Sequence, residues 1–285
     1  MATPLPLCYL NGQQIKLADA RISPLDRGFL SGDGVYEVVP VYDGKPFRFA
    51  AHAERLTRSL AALRIKDPYS REHWRRIVDA LVAANGGGDQ YLYLQVSRGA
   101  EFGRNHAPLP DIEPTVFLYC SPWPQIAADT LAQGLSCITA QDTRWARCDI
   151  KSTALLANVL LRQLAVDAGA AETILLRDGR LMEGSASTVH VVLRGEIVTP
   201  PNSYRILPGT TRGALFDIAE TLGIAQRTAE ISEAELRAAD EIWLSAATRE
   251  VQPVTRLDGN PVGTGQPGPL WQRVYAAYQA LKRQA

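Results

Sequence analysis

The chain has no long apolar run, no leader-like start and no excess of either charge. No apolar stretch approaches the ~20 residues that cross a bilayer. The first residues, Met1-Ala-Thr-Pro-Leu-Pro, carry neither a basic region nor an apolar segment, so no signal peptide is expected. Lys plus Arg number 30 and Asp plus Glu number 30. That balance gives no electrostatic reason to expect a nucleic acid or a membrane as partner. Cysteine is scarce, and Cys8, Cys120, Cys137 and Cys148 stand apart without CxxC spacing. Reduced thiols in a cytoplasmic protein are therefore expected, not a disulfide framework. His52, His73, His106 and His190 lack metal-ligand spacing, so no metal is expected. A GxGxxG after a strand, a P-loop, an HExxH and a GxSxG are all missing. Their absence removes common nucleotide, zinc-protease and serine-hydrolase readings.

What is present is a chain of 285 residues with 46% hydrophobic content. A chain of this size buries roughly three quarters of its unfolded surface. Hairpin signals stand at Asn11-Gly12, Asp43-Gly44 and Asp178-Gly179. Apolar residues at helical spacing predict helices over 51–63, 71–84, 154–168, 210–222 and 269–282. In the third of these the apolar stripe runs through Leu155, Val159 and Leu160. Alternation predicts strands over 91–97, 115–120, 134–140, 187–193 and 241–245. Residues 100–114 form a Pro-containing loop, long enough to suspect a function. Ser121-Pro-Trp-Pro-Gln125 interrupts both helix and ladder. It divides a smaller N-terminal domain, 1–120, from a larger domain, 126–285, with 121–125 as linker. Strand groups mixed with helices, without regular βαβ alternation, predict an α+β fold.

Chemistry is concentrated around Lys151 in Arg144-Trp-Ala-Arg-Cys-Asp-Ile-Lys151-Ser-Thr. Flanked by Ile150 and a helical apolar run, this lysine is expected to be partly desolvated. Desolvation favours a neutral amine, which a Schiff base with a carbonyl cofactor requires. Glu183, 32 residues on, could pair with a protonated ring nitrogen of such a cofactor. Pro208-Gly-Thr-Thr-Arg-Gly213 opens a helix, where backbone N–H groups and two hydroxyls suit a phosphate. An ordinary N-cap by Thr210 or Thr211 explains the same segment. Ser245-Ala-Ala-Thr248 follows a strand and offers a further hydroxyl. Arg55, taken alone, reads as a solvated helix arginine. Arg104 and His106 lie two residues apart in the long loop and in extended backbone would point the same way. Together they suit a carboxylate, with a solvated loop as the plainer reading.

The ordered set Asp26-Arg-Gly-Phe-Leu-Ser-Gly-Asp-Gly-Val-Tyr36-Glu, His52-Ala-Glu-Arg55-Leu, Lys151, Glu183-Gly-Ser and Leu207-Pro-Gly-Thr-Thr-Arg212 resembles the class IV aminotransferases. These are the fold-type IV enzymes that use pyridoxal 5′-phosphate (PLP). The resemblance covers essentially the whole chain, and Val35-Tyr-Glu-Val-Val, Arg104-Asn-His106 and the Lys151 segment are similar to bacterial D-amino acid aminotransferases. It implies that Lys151 holds PLP covalently and shuttles a proton between Cα of the substrate and C4′ of the cofactor. It implies that Glu183 pairs with the pyridinium nitrogen and that Arg144 orients Glu183. Arg55, Thr210 and Thr211 would hold the phosphate, Leu207 would pack on the ring, and Tyr36 would sit beside the substrate. Arg104 and His106 would trap the carboxylate, on a loop given by a neighbouring subunit, so a homodimer is implied. Two positions depart from the family's pattern. Ala246-Ala247 precede Thr248 where hydroxyls are common, and Ser187-Thr188 stand in place of a serine-asparagine pair.

The activity so implied is transfer of the amino group of D-amino acids, such as D-alanine or D-glutamate, to 2-oxo acids, such as 2-oxoglutarate or pyruvate. Ping-pong kinetics follow from it. Sister activities on the same fold are (R)-selective amine transamination, branched-chain L-amino acid transamination and 4-amino-4-deoxychorismate lysis. A non-catalytic scaffold fits poorly, because Lys151 and Glu183 are both present.

Overall fold

The computed structural model describes residues 3–124 and 126–284, so Met1, Ala2, Gln125 (the last residue of the expected linker) and Ala285 lie outside it. The described chain divides into two compact units, residues 3–124 with 150–155 and residues 126–149 with 156–284. Each is a sheet with helices, an α+β organisation, and among the described residues no helix is long and apolar enough to cross a membrane.

In the first unit, β1 (Leu7–Leu10) and β2 (Gln13–Lys16) turn at Asn11 and Gly12, whose φ values are 46° and 91°. Two positive φ values suit the twist of a two-residue hairpin, which is why Asn-Gly stands there. The short helix α1 (Arg27–Ser31) begins at Asp26, whose side chain accepts from Gly28 N, and ends at Gly32 in the left-handed region. Strand β3 (Gly34–Tyr42) turns into β4 (Lys45–Pro46), and α2 (Phe49–Leu63) and α3 (Arg71–Ala84) follow. Strands β5 (Gln90–Ser97) and β6 (Thr115–Pro122) complete an antiparallel sheet of order β2-β1-β6-β5-β3-β4. Leu56 and Leu60 of α2 and Trp74, Val78 and Leu81 of α3 share one core with Val39, Leu92 and Leu118 of the sheet. Strand β6 reaches Pro122, so Ser121 and Pro122 pair with Tyr91 and Gln90.

The second unit contains α4 (Ala128–Gln133), β7 (Leu135–Gln141), α5 (Leu156–Asp167), β8 (Glu172–Arg177), β9 (Arg180–Gly184), β10 (Thr188–Leu193) and β11 (Glu196–Thr199). Then come α6 (Thr210–Thr221), β12 (Gln226–Thr228), α7 (Glu233–Arg237), β13 (Glu241–Ala246), β14 (Glu250–Leu257), β15 (Asn260–Pro261) and α8 (Pro269–Arg283). The sheet runs β12-β11-β10-β13-β14-β7-β8-β9, with β15 on β14. The pairs β11–β12, β14–β7 and β7–β8 are parallel. Helix α5 differs from the sequence expectation: Leu161 and Ala165 are buried, while Leu156, Val159, Leu160 and Leu164 are 74, 59, 62 and 45% exposed. Strand β14 was hidden by Pro253, which sits opposite Trp243 in a ladder where proline is uncommon.

Candidate active site

In the first unit, residues 150–155 lie along β3 through an antiparallel bridge between Val35 and Ser152. Tyr36 N donates to Lys151 O at 3.0 Å, Thr153 N donates to Gly34 O at 2.9 Å, and Lys151 N donates to Ser59 Oγ at 3.3 Å. Gly34 permits the approach, since a Cβ there would meet Val96 O at 3.0 Å and Thr153 Oγ1 at 3.3 Å. The backbone register sets the side chain: Lys151 Nζ stands 4.0 Å from the centroid of the Tyr36 ring. The amine is half-buried and rests on an aromatic face, a cation–π geometry. The Tyr36 ring is itself stacked on Tyr93, with centroids 5.6 Å apart.

Successive residues of a strand face opposite sides, so Glu37 points away from Tyr36 into the core. There it accepts from Arg55 Nε and Nη2, both at 2.7 Å, and meets His52 Nδ1 at 2.7 Å. Arg55 is thus not a solvated helix arginine. It is buried, and two of its nitrogens face Glu37. Burial pushes the Glu37 carboxyl up, but the Arg55 guanidinium and His52 outweigh it and hold it at about 2. Burial, with help from the Arg55 and Lys151 charges, lowers His52 against the pull of Glu37.

Arg104 and His106 are both exposed, on a segment of bends and not of extended strand. Their loop is closed at its base: at Gly99, with φ of 106°, a Cβ would stand 2.0 Å from Glu113 O.

In the second unit, Glu183 at the end of β9 is buried. Arg144 Nη1 donates to its Oε1 at 2.5 Å, and Leu207 N lies 3.1 Å from each of Oε1 and Oε2. Burial raises the Glu183 carboxyl, while Arg144 and the Leu207 N–H oppose that rise. Arg144 is gripped from behind by Asp142, whose Oδ1 and Oδ2 accept from its Nε and Nη2 at 3.0 Å, and burial does not prevent it from being held firmly charged. Asp142 also accepts from Arg177 Nη2 at 2.9 Å. Two carboxylates and two guanidiniums therefore alternate without net charge.

Helix α6 starts at Gly209, which has no side chain to cap it, so neither Thr210 nor Thr211 is the N-cap. Both threonines are buried in its first turn, beside a buried Arg212. Arg212 donates to Asn202, lies 5.1 Å from the Phe216 ring, and its buried Nε has no hydrogen-bond partner among the described residues. Burial lowers this guanidinium to about 10, with Glu183 acting in the opposite sense. First-turn N–H groups, the positive helix end and a guanidinium make this an anion-binding arrangement. Ser245 Oγ meets His190 Nε2 at 2.8 Å, and Thr248 is half-buried in the turn from β13 to β14. Among the described residues no cluster of His, Cys, Asp and Glu could hold a metal.

Sequence reading missed Glu37, Asp142 and Arg177 as partners of the candidate residues. Glu37 and Asp142 were within two positions of a named residue, which was the only local signal. Their pairing depends on Arg55 and Arg177, 18 and 35 residues away.

Residues 34–257 match the family model described as "Amino-transferase class IV". The chain is 39% identical over 269 residues to a D-alanine aminotransferase of Bacillus licheniformis, covering 94% of each chain. It is 38% identical over 268 residues to a D-alanine aminotransferase of Listeria innocua, covering 93% of this chain and 92% of that one. The branched-chain amino acid aminotransferase of Escherichia coli superposes with a TM-score of 0.92 at 27% identity, over 97% of this chain and 94% of that one. A T.th. branched-chain amino acid aminotransferase, solved with pyridoxamine 5′-phosphate, gives a TM-score of 0.91 at 27% identity over 99% and 95%.

Proposed function

The chain belongs to the class IV aminotransferases, and from that premise we propose that it uses PLP to move the amino group of D-amino acids, such as D-alanine or D-glutamate, to 2-oxo acids. The observation that carries the substrate class is a contrast in likeness. Relatives named D-alanine aminotransferase share 38 and 39% of their residues with it, against 27% for the branched-chain enzymes. Arg104 and His106 in the 100–114 loop agree with a substrate that carries a carboxylate.

The residues fit the cofactor. Among the described residues Glu183 Oε2 accepts only from Leu207 N, and a carboxylate oxygen has room for a second donor, here the pyridinium N–H. Thr210, Thr211 and the first turn of α6 suit the phosphate, with Arg55 and Thr248 as further ligands. Leu207, whose N–H holds Glu183, would pack on the ring. Lys151 supplies the amine that attaches the cofactor. When bound, PLP supplies an electron-poor ring that weakens the Cα–H bond of the amino acid.

The rest is done by the chain. Lys151 Nζ takes the proton from substrate Cα as general base. The ammonium so formed meets the Tyr36 ring, worth about 0.5–1 kcal/mol or more once desolvated. Arg144, fixed by Asp142, keeps the Glu183 carboxylate in one orientation. Arg104 and His106 hold the substrate carboxylate. The enzyme works as a homodimer, in which each copy gives its 100–114 loop to the other. The exposed apolar face of α5, including Leu156, Val159, Leu160 and Leu164, supports an assembly. Four buried, unpaired cysteines accord with a cytoplasmic location.

The test is a half-reaction without acceptor. The PLP-loaded enzyme is mixed separately with D-alanine, L-leucine and (R)-1-phenylethylamine, and loss of the long-wavelength cofactor band is followed. Fast loss with D-alanine is expected, slow but measurable loss with (R)-1-phenylethylamine, none with L-leucine, and none with Lys151→Ala. Loss chiefly with L-leucine would move the enzyme to the branched-chain specificity of its structural neighbours. Turnover by Lys151→Ala would end the role given to that lysine.

A further inference from the structure

We propose that Arg27 is the positioning residue of the substrate-carboxylate loop, holding its backbone so that Arg104 and His106 are presented together; this rests on the carboxylate role given to that pair. The Asp26-Arg27-Gly28 motif is otherwise without a task. Arg27 is buried in α1, at the foot of the loop. Its Nε donates to Asp33 Oδ2 at 2.8 Å. Its Nη1 reaches the Glu101 carboxylate and donates to Asn105 O at 2.6 Å, and its Nη2 donates to His106 O at 3.3 Å. One side chain therefore holds the residue between the two trap side chains, and one of the trap residues itself, by their carbonyls.

The scaffold behind Arg27 is firm. Asp26 accepts from Ser97 Oγ at 2.9 Å and from Thr115 Oγ1 at 2.6 Å, binding α1 to the last residue of β5 and the first of β6. Arg27 N donates to Gly99 O at 2.9 Å. Asp33 is shared with Arg98, whose Nε donates to it at 2.7 Å. The loop's own packing is weak by contrast: Phe102 is 98% and Leu109 48% exposed, and a cavity of about 790 Å³ opens beside Glu101, Phe102 and Leu109. Within its own chain, a loop with so little apolar burial takes its order from hydrogen bonds. A planar fork with five donors can reach a carboxylate and two carbonyls at once, which a lysine ammonium on a flexible stem cannot.

The experiment compares wild type, Arg27→Lys and Glu101→Gln, all PLP-loaded. Hydrogen exchange of the amides of residues 101–109 is read alongside kinetics with D-alanine and with (R)-1-phenylethylamine, which has no carboxylate. For Arg27→Lys the expected result is exchange at least tenfold faster in the loop, KM for D-alanine raised roughly tenfold or more, and kcat for D-alanine changed far less. The amine reaction and cofactor binding should stay near wild type. Glu101→Gln, a change on the loop itself, should move both readouts in the same direction by less. Unchanged exchange in both variants overturns the anchoring role. Equal losses on both substrates make Arg27 merely structural and overturn the proposal. Faster exchange with unchanged KM for D-alanine, together with no effect of Arg104→Ala, places the failure in the carboxylate trap and removes the task assigned to Arg27.

Discussion

The guanidinium of Arg104 is exposed and that of Arg55 is buried, and the difference sets what each can do. Arg104 is available to a ligand arriving from solvent. Arg55 already spends two nitrogens on Glu37. In the proposed role of Arg104, Arg104→Ala removes a charge-assisted pair with the substrate carboxylate, an interaction of about 1.5–3 kcal/mol. KM for D-alanine should rise roughly 10- to 150-fold, while (R)-1-phenylethylamine should be handled much as before. Initial rates over a range of each substrate measure this; parallel losses would show that Arg104 supports structure. Lys151, Glu183, Arg144 and the two threonines are proposed from the sequence because each lies in a short motif whose chemistry is local, and the expected contact of Arg144 with Glu183 is present. The acid Glu37 and its basic neighbours were not legible there, because nothing in the sequence says that a residue 18 positions on folds back against it.

Among the elements, helix α5 is the one whose pattern misled. The expected stripe runs through Leu155, Val159 and Leu160, and such a stripe in a monomer faces the core. Leu155 precedes the helix and is half-buried, and the exposed apolar residues of the helix include Leu156, Val159, Leu160 and Leu164. Here the stripe faces solvent, and Leu161 and Ala165 take the buried side. Periodicity reports that a face is to be covered, and is silent on whether the cover is the same chain. A second copy is the proposed cover. Leu160→Glu should then shift the sedimentation coefficient from dimer to monomer at micromolar concentration, with little effect on the monomer's own fold. A variant that sediments as the wild type does would remove α5 from the interface. Hairpins were the best-read elements, since Asn11-Gly12, Asp43-Gly44 and Asp178-Gly179 all take positive φ values as their turns demand. Strands β11, β12 and β14 escaped, being short or broken by a proline.

For the whole molecule, two buried histidines tie stability to pH. Burial, with the Arg212 charge, lowers His190 to about 3, and it sits neutral against Thr199 Oγ1 and Ser245 Oγ. His52 is lowered too, by burial first. In the unfolded chain both titrate near about 6.5. The folded state then binds fewer protons, so stability is full above that value and falls as pH drops toward 3. Each histidine contributes a slope of at most about 1.4 kcal/mol per pH unit. Melting temperatures between about pH 6.5 and 4.5 should fall steeply for the wild type and less steeply for His190→Gln; identical slopes would refute the assignment. A different consequence follows from the six residues 150–155, which belong to the first unit although the chain on both sides of them belongs to the second. On the ribosome, residues 3–124 emerge without them. Until residue 151 is made, Tyr36 N–H has no carbonyl to accept it and Gly34 O lacks its donor, so the first unit is finished only after synthesis of the second has begun. The lysine proposed to carry the chemistry is thus also the late piece that closes the earlier-made half.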